Sequence, residues 1–171
     1  SGMYNGEMLS APEYKSLAGL DGAGFHGGYN HIVYQMVGQP LGVFYLPHST
    51  GLESDGNGGY TYGIADLNGG GVSLEDGEDR YVAGQAVPKT ILGSNISFRY
   101  KRFDLSLQVN GAFGHKIYNG TSLTYMNMNI FPDYNVMKKA PKQNIKDQTA
   151  TDYWLEKGDY VNFDYVTLGW N

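Results

Sequence analysis

The stretch Asn95-Ile96-Ser97-Phe98-Arg99-Tyr100-Lys101-Arg102-Phe103-Asp104-Leu105-Ser106-Leu107-Gln108-Val109-Asn110-Gly111-Ala112-Phe113 decides the fold class. On its first arm Ile96, Phe98 and Tyr100 alternate with Ser97 and Arg99; on its second, Phe103, Leu105, Leu107 and Val109 alternate with Asp104, Ser106, Gln108 and Asn110. Successive strand side chains leave on opposite faces, so this period of two predicts a pair of strands, each with one apolar face. A tight turn at Lys101 and Arg102 sets Tyr100 opposite Phe103, Phe98 opposite Leu105 and Ile96 opposite Leu107, and the apolar residues then share one face. The other face pairs Ser97 with Ser106 and Arg99 with Asp104, an opposite-charge cross-strand pair worth about 0.2–1 kcal/mol. Lys-Arg is not the Asn-Gly type of turn, so the register rests on the alternation alone.

Two surroundings explain such a hairpin. In a soluble sandwich the apolar face packs on a core. In a membrane barrel it meets lipid while the polar face lines a wet lumen. Phe103 to Phe113 is 11 residues, the length of a tilted membrane strand (about 9–11) rather than of a typical soluble one (about 5–6). A third strand is predicted over Tyr160 to Trp170. There Val161, Phe163 and Tyr165 alternate with Asn162 and Asp164, and the apolar phase then passes to Val166, Leu168 and Trp170. One continuous strand needs a bulge near Tyr165 and Val166, and this strand has no obvious partner in the sequence.

The remainder reads as strands and loops. Tyr29 to Gly38 and Gly42 to Leu46 are strand candidates, the second bounded by Pro40 and Pro47. Residues 1–28 form a Gly-rich lead-in, and His48 to Gly84 and Asn119 to Thr151 are expected to be long loops. The fold class is therefore all-β: antiparallel strands in one segment, 1–171, with long loops. No apolar run reaches the roughly 18–20 residues of a helical span, a test to which barrel strands are blind. Ser1 to Ser10 lacks the pattern of a signal peptide.

The balance of 12 Lys+Arg against 17 Asp+Glu gives a formal charge of -5. With no basic stripe to neutralise a phosphate backbone, a nucleic-acid partner is not expected. The absence of Cys excludes disulfides and thiolate metal sites. With 41% hydrophobic residues, 15 Tyr and 7 Phe, the chain lacks the composition of disorder.

Few motifs carry chemistry. Gly22-Ala23-Gly24-Phe25-His26-Gly27 spells a dinucleotide fingerprint, but no strand precedes it and Gly28-Tyr29-Asn30 follows where a helix should open, so a loop is the better reading. Asp66-Leu67-Asn68-Gly69-Gly70-Gly71-Val72 resembles the start of a calcium loop, with oxygen donors at its first and third positions. Gly70 supplies no ligand, and Gly77 stands where a bidentate acid belongs. A Ca2+ ion held by Asp66, Asn68, the Val72 carbonyl and Asp76 is one reading; an acidic, solvated turn is the other. Glu75, Asp76, Glu78 and Asp79 lie too close in one loop to serve as a glycosidase pair. His26, His31, His48 and His115 form no zinc motif, and no Gly-x-Ser-x-Gly elbow occurs. The chain is not expected to be an enzyme.

Four ordered strings carry a resemblance. They are Val37-Gly38-Gln39-Pro40-Leu41-Gly42-Val43-Phe44-Tyr45; Ala65-Asp66-Leu67-Asn68-Gly69-Gly70-Gly71 with Glu78-Asp79-Arg80; the hairpin itself; and Trp154-Leu155-Glu156-Lys157-Gly158-Asp159-Tyr160 with Val166-Thr167-Leu168-Gly169-Trp170. Over residues 17–171 the chain resembles the C-terminal part of the barrel of SusC/RagA-type TonB-linked (TonB-dependent) outer-membrane transporters. The resemblance implies a partial transmembrane β-barrel in outer-membrane lipid, with long extracellular loops. It also implies partnership with TonB and a SusD-like surface lipoprotein, and import of oligosaccharides or peptides. That family's acidic loop usually carries a further Asp where Gly70 stands. With no plug, TonB-contacting segment or last strands in the sequence, the chain is expected to be a fragment of a larger barrel. The alternative from another class is a stand-alone soluble or surface β-rich module that binds carbohydrate through loop aromatics.

Overall fold

A computed structural model describes residues 2–4, 7–9, 14–20, 31–74 and 78–170. The strands are β1 (Gly2–Tyr4), β2 (Glu7–Leu9), β3 (Tyr14–Gly19), β4 (His31–Met36), β5 (Val43–Pro47), β6 (Ser49–Ser54), β7 (Tyr60–Ile64), β8 (Arg80–Gln85), β9 (Thr90–Tyr100), β10 (Phe103–Phe113), β11 (Lys116–Tyr118), β12 (Leu155–Lys157) and β13 (Tyr160–Trp170). Two short helices, α1 (Gly120–Tyr125) and α2 (Ala140–Gln143), lie between β11 and β12. Every strand pairing is antiparallel, as an all-β reading requires.

The described residues form two contrasting parts. The first is a wall of three long strands in the order β13-β10-β9. Its hairpin has the predicted register, Tyr100 to Phe103, Phe98 to Leu105 and Ile96 to Leu107, and the ladder runs on to Thr90 opposite Phe113. Lys101 closes the turn at φ +53°, a left-handed conformation that costs a non-glycine residue roughly 1 kcal/mol and that the long ladder holds in place. The partner that the sequence did not reveal for β13 is β10: Phe103 faces Trp170 and Leu105 faces Leu168. The bulge sits one residue before the predicted place. Gln108 pairs with Tyr165 and Val109 with Phe163, so Asp164 is the extra residue. It keeps Val161 and Phe163 on the same face as Val166, Leu168 and Trp170, which resolves the phase change.

The second part is a cap in which β3-β4-β5-β8 form one sheet and β6-β7 and β11-β12 two ribbons. All five residues of β5 are buried. Phe44 and Leu46 enter one core with Ile32, Tyr62, Leu123 and Ile145, while Val43 and Tyr45 join Tyr34 in another. A strand covered on both faces reads as a continuous apolar run, as Val43-Phe44-Tyr45-Leu46 does.

Both predicted long loops are folded. The stretch from His48 to Gly84 contains the β6-β7 hairpin, whose turn is held by Asp55 accepting from the Asn57 and Gly59 amides at 2.7 and 2.8 Å. The stretch from Asn119 to Thr151 contains α1, capped by the Asn119 side chain accepting from the Ser122 amide at 2.9 Å, and α2, which has Pro141 in its first turn and ends at left-handed Asn144. These are ordinary cap and turn residues; in the first stretch their signal is submerged by the Gly and acid around them, and in the second the helices are only 6 and 4 residues long, too short to show a period. Fully buried Ile145 pins the two stretches together. Around it the Tyr60 amide donates to Asn144 O, the Lys146 amide to Tyr60 O and the Met128 amide to Ile145 O, at 3.0, 2.8 and 2.7 Å. Residues 1–28 are more than a lead-in, since β3 pairs with β4; the glycine string of residues 22–27 lies outside the described residues.

Candidate functional site

The wall is the largest chemically organised surface. One face carries Tyr100, Phe98, Ile96 and Leu92 from β9, Phe103, Leu105, Leu107 and Val109 from β10, and Trp170, Leu168, Val166, Phe163 and Val161 from β13. Nothing in the described residues covers it: Phe98 is 60% exposed, Leu168 71% and Trp170 65%. Phe103 and Trp170 meet edge to face, ring centroids 4.3 Å apart, and with Tyr100 they place a row of aromatics at the turn end. The opposite face is polar, with rows Ser97-Ser106-Thr167 and Asn95-Gln108-Tyr165. Asp164 accepts hydrogen bonds there from Asn110 and Asn162. Arg99 and Asp104 are opposite in register, but the predicted ion pair does not close. The Asp104 carboxylate leans over Gly169 instead, where a Cβ would collide with it.

In the cap a polar knot joins three separate elements. Asp152 accepts from the Ser49 amide at 2.7 Å and from the Tyr81 hydroxyl at 2.6 Å, and its carboxylate lies 2.7 Å from His48 Nδ1. Burial pushes the Asp152 carboxyl up, but the bonds from Tyr81, His48 and the Ser49 amide outweigh it and hold the group below the usual carboxylate range. Burial, with the adjacent carboxylate, pushes the Tyr81 phenol up to about 12. Ser49 Oγ is bonded to Gly51 rather than to His48, so the knot supplies no nucleophile. Nearby, Trp154 Nε1 donates to the Tyr62 hydroxyl at 2.7 Å, and burial pushes the Tyr62 phenol up to about 12. Asp152 lies 71 to 104 residues from each of its partners, so the knot leaves no motif to read.

The acidic loop is organised around a residue outside the candidate cation set. Asp79, screened from solvent yet lying shallowly under its own loop, accepts from the Ser73, Leu67 and Asn68 amides at 2.7, 2.7 and 3.3 Å. The bond from Ser73, then that from Leu67, holds its carboxyl below the usual range. Asp66 accepts from the Gly69 and Gly71 amides at 2.6 and 3.0 Å, and Asn68 Oδ1 accepts from the Gly70 amide at 2.7 Å. The oxygens proposed to bind Ca2+ thus already receive backbone donors, with which a cation at Asp66 and Asn68 would compete. Val72 is exposed and Asp76 lies outside the described residues. Among the described residues no group of three or more His, Asp or Glu is placed to hold a metal, and no helix is long and apolar enough to cross a membrane.

No family model matches the chain. The chain is similar to the TonB-dependent receptor P3 of Formosa agariphila, 28% identical over 155 residues, which cover 78% of this chain and 15% of that receptor. The similarity supports a TonB-dependent receptor at the level of the broad family. The chain spans about 15% of the length of the relative it matches.

Proposed function

We propose that this chain is a section of an outer-membrane β-barrel of the SusC/RagA type, a TonB-linked importer of oligosaccharides or peptides that works with a SusD-like surface lipoprotein. The observation that carries the reading is the wall. Three paired strands of 11 residues each have one uncovered apolar face and one polar face. At about 3.3 Å per residue and a tilt near 45°, such strands cross about 25 Å, the height of the apolar band of outer-membrane barrels. Water would not leave so wide an apolar face bare on a soluble domain, whereas acyl chains cover it without cost. Among the described residues no strand pairs with the outer edges of β9 and β13, whose backbone groups in hydrocarbon must bond to neighbouring strands of a closed barrel.

Orientation follows from loop size. Outer-membrane barrels keep short turns on the periplasmic side and long loops outside. The Lys101-Arg102 turn is then periplasmic, its aromatic row forms the inner girdle, and the cap stands on the extracellular side. In this reading the cap and the lipoprotein enclose the substrate, the polar face lines the passage, and TonB acting on a plug supplies the energy. No residue here performs chemistry on the substrate.

The test is a spin label at Leu105 and another at Gln108, in the complete polypeptide in outer-membrane vesicles. Leu105 should be relaxed by oxygen dissolved in lipid and Gln108 by a water-soluble nickel chelate. A Leu105 label shielded from both reagents would sink the barrel reading and favour a module with this face packed in a core.

A further inference from the structure

The three wall strands enter the cap around one cleft of about 360 Å³. Lys89 precedes β9, Gly114 to Lys116 follow β10, and Lys157 to Asp159 precede β13, and all these segments contribute to its lining. Three lysines, Lys89, Lys116 and Lys157, therefore line the same cleft as one aspartate, Asp159, whose carboxylate already accepts from the Gly114 amide at 2.6 Å. Lys116 and Lys157 are direct cross-strand partners in the β11-β12 ribbon. Like charges so placed repel, and a sheet with nothing to gain from them would avoid the arrangement. Among the described residues none of the three lysines forms an ion pair.

Glycines make the cluster sterically feasible. A Cβ on Gly84 would meet the Lys116 stem at 2.8 Å and one on Gly114 the Lys89 stem at 3.0 Å, and one on Gly158 would collide with the His115 ring. Gly84 and Gly114 also have φ of +153° and +77°, which other residues rarely adopt. Half-buried His115 belongs to the same lining. Carried one residue beyond β9, the alternation sets Lys89 on the side of Ile91, Gly93, Asn95 and Ser97, the side that is polar further along the wall. The side-chain amide of Gln39 stands exposed at the rim and makes no hydrogen bond among the described residues, a partner suited to a hydroxyl.

We propose that this cleft binds a carboxylate or sulfate group of a soluble oligosaccharide at the mouth of the passage. The inference rests on the importer reading and narrows its substrate to an anionic class. Lysine ammoniums on three separate segments act as point charges around one compact anion, and the polar-side placement favours a solute in the passage over a lipid headgroup.

The experiment uses the complete polypeptide in nanodiscs, with hexagalacturonate as probe and maltohexaose as its neutral counterpart. The anionic sugar should bind at least about tenfold more tightly, and the double substitution K116Q/K157Q should remove that preference. The thermal midpoint of the variant should stay the same or rise, because a repulsive pair has gone; a purely structural role would lower it. Equal affinity for the two sugars, or a preference that survives in the variant, overturns the proposal. So does a hexaglutamate peptide that outcompetes the sugar, or a variant that loses only its adhesion to phosphatidylglycerol vesicles. The Leu105 label reports on the barrel reading separately, so failure of the cleft and failure of the importer are distinguishable.

Discussion

Strands β5 and β9 are both rich in apolar residues, yet every residue of β5 is buried and every residue of β9 is exposed. In the cap, Phe44 and Leu46 find Leu123 and Ile145 above them, supplied by a segment some eighty residues or more away in sequence. In the wall, Phe98 and Leu168 find neighbours only within their own sheet. The difference teaches that apolar content sets the demand for cover and topology decides what meets it, a second layer of protein in the cap and, on the reading proposed above, lipid in the wall.

The comparison breaks most sharply in the core. Leu123→Ala should cost the cap about 2–5 kcal/mol, through lost burial and the cavity left behind. Hydrogen exchange should show protection falling in β5, β8 and α1 while the β9-β10 ladder is spared. If the ladder loosened equally, wall and cap would be one cooperative unit.

Next in size is a charge on the apolar face. Leu105→Arg should cost about 2–4 kcal/mol if that face meets the middle of a bilayer, whereas Ser106→Arg on the polar face should fall within about 0.5 kcal/mol. The yield of folded protein in outer membranes measures both. Equal tolerance would mean that water, not lipid, bathes the wall.

A smaller loss is expected from Asp152→Ala. It strands the Ser49 amide and Tyr81 hydroxyl, for a cost of about 1 kcal/mol after allowance for the exposure of His48. The same carboxylate makes the cap acid-sensitive. Its value in the folded chain is depressed, so its contribution is fully present above the ordinary value of 3.8 and is lost as the pH falls through the folded value. Tyrosine fluorescence of wild type and D152A followed below pH 4 should converge. The smallest effect belongs to Arg99→Ala. Because the guanidinium does not close on Asp104, the change should stay within about 0.5 kcal/mol in the same yield assay, and a larger loss would mean that the pair forms in the membrane.

Legibility in the sequence followed the range of the interactions. The hairpin register was readable because Ile96 to Leu107 alternate without a break and neighbours in sequence pair with one another. The bulge was readable to within one residue, since the phase change from Phe163 to Val166 demands one. The β6-β7 hairpin had a local signal in Asp55-Gly56-Asn57-Gly58, submerged in glycine-rich surroundings, and α1 had one in the Asn119 cap, but a helix of 6 residues shows no period. The Asp152 knot and the lysine cleft had none, because Ser49 and Asp152, or Lys89 and Lys157, are brought together only by the folded chain.

By itself, then, the sequence determined the all-β class, the two-faced hairpin and the bulge, because each depends on alternation between residues a few positions apart. Only the tertiary structure decided that β13 lies against β10, that both long stretches read as loops fold into one cap, and that three lysines line one cleft. Those outcomes depend on which distant surfaces find each other, and such pairing is settled by shape, burial and hydrogen-bond satisfaction across the whole chain, not by any local pattern.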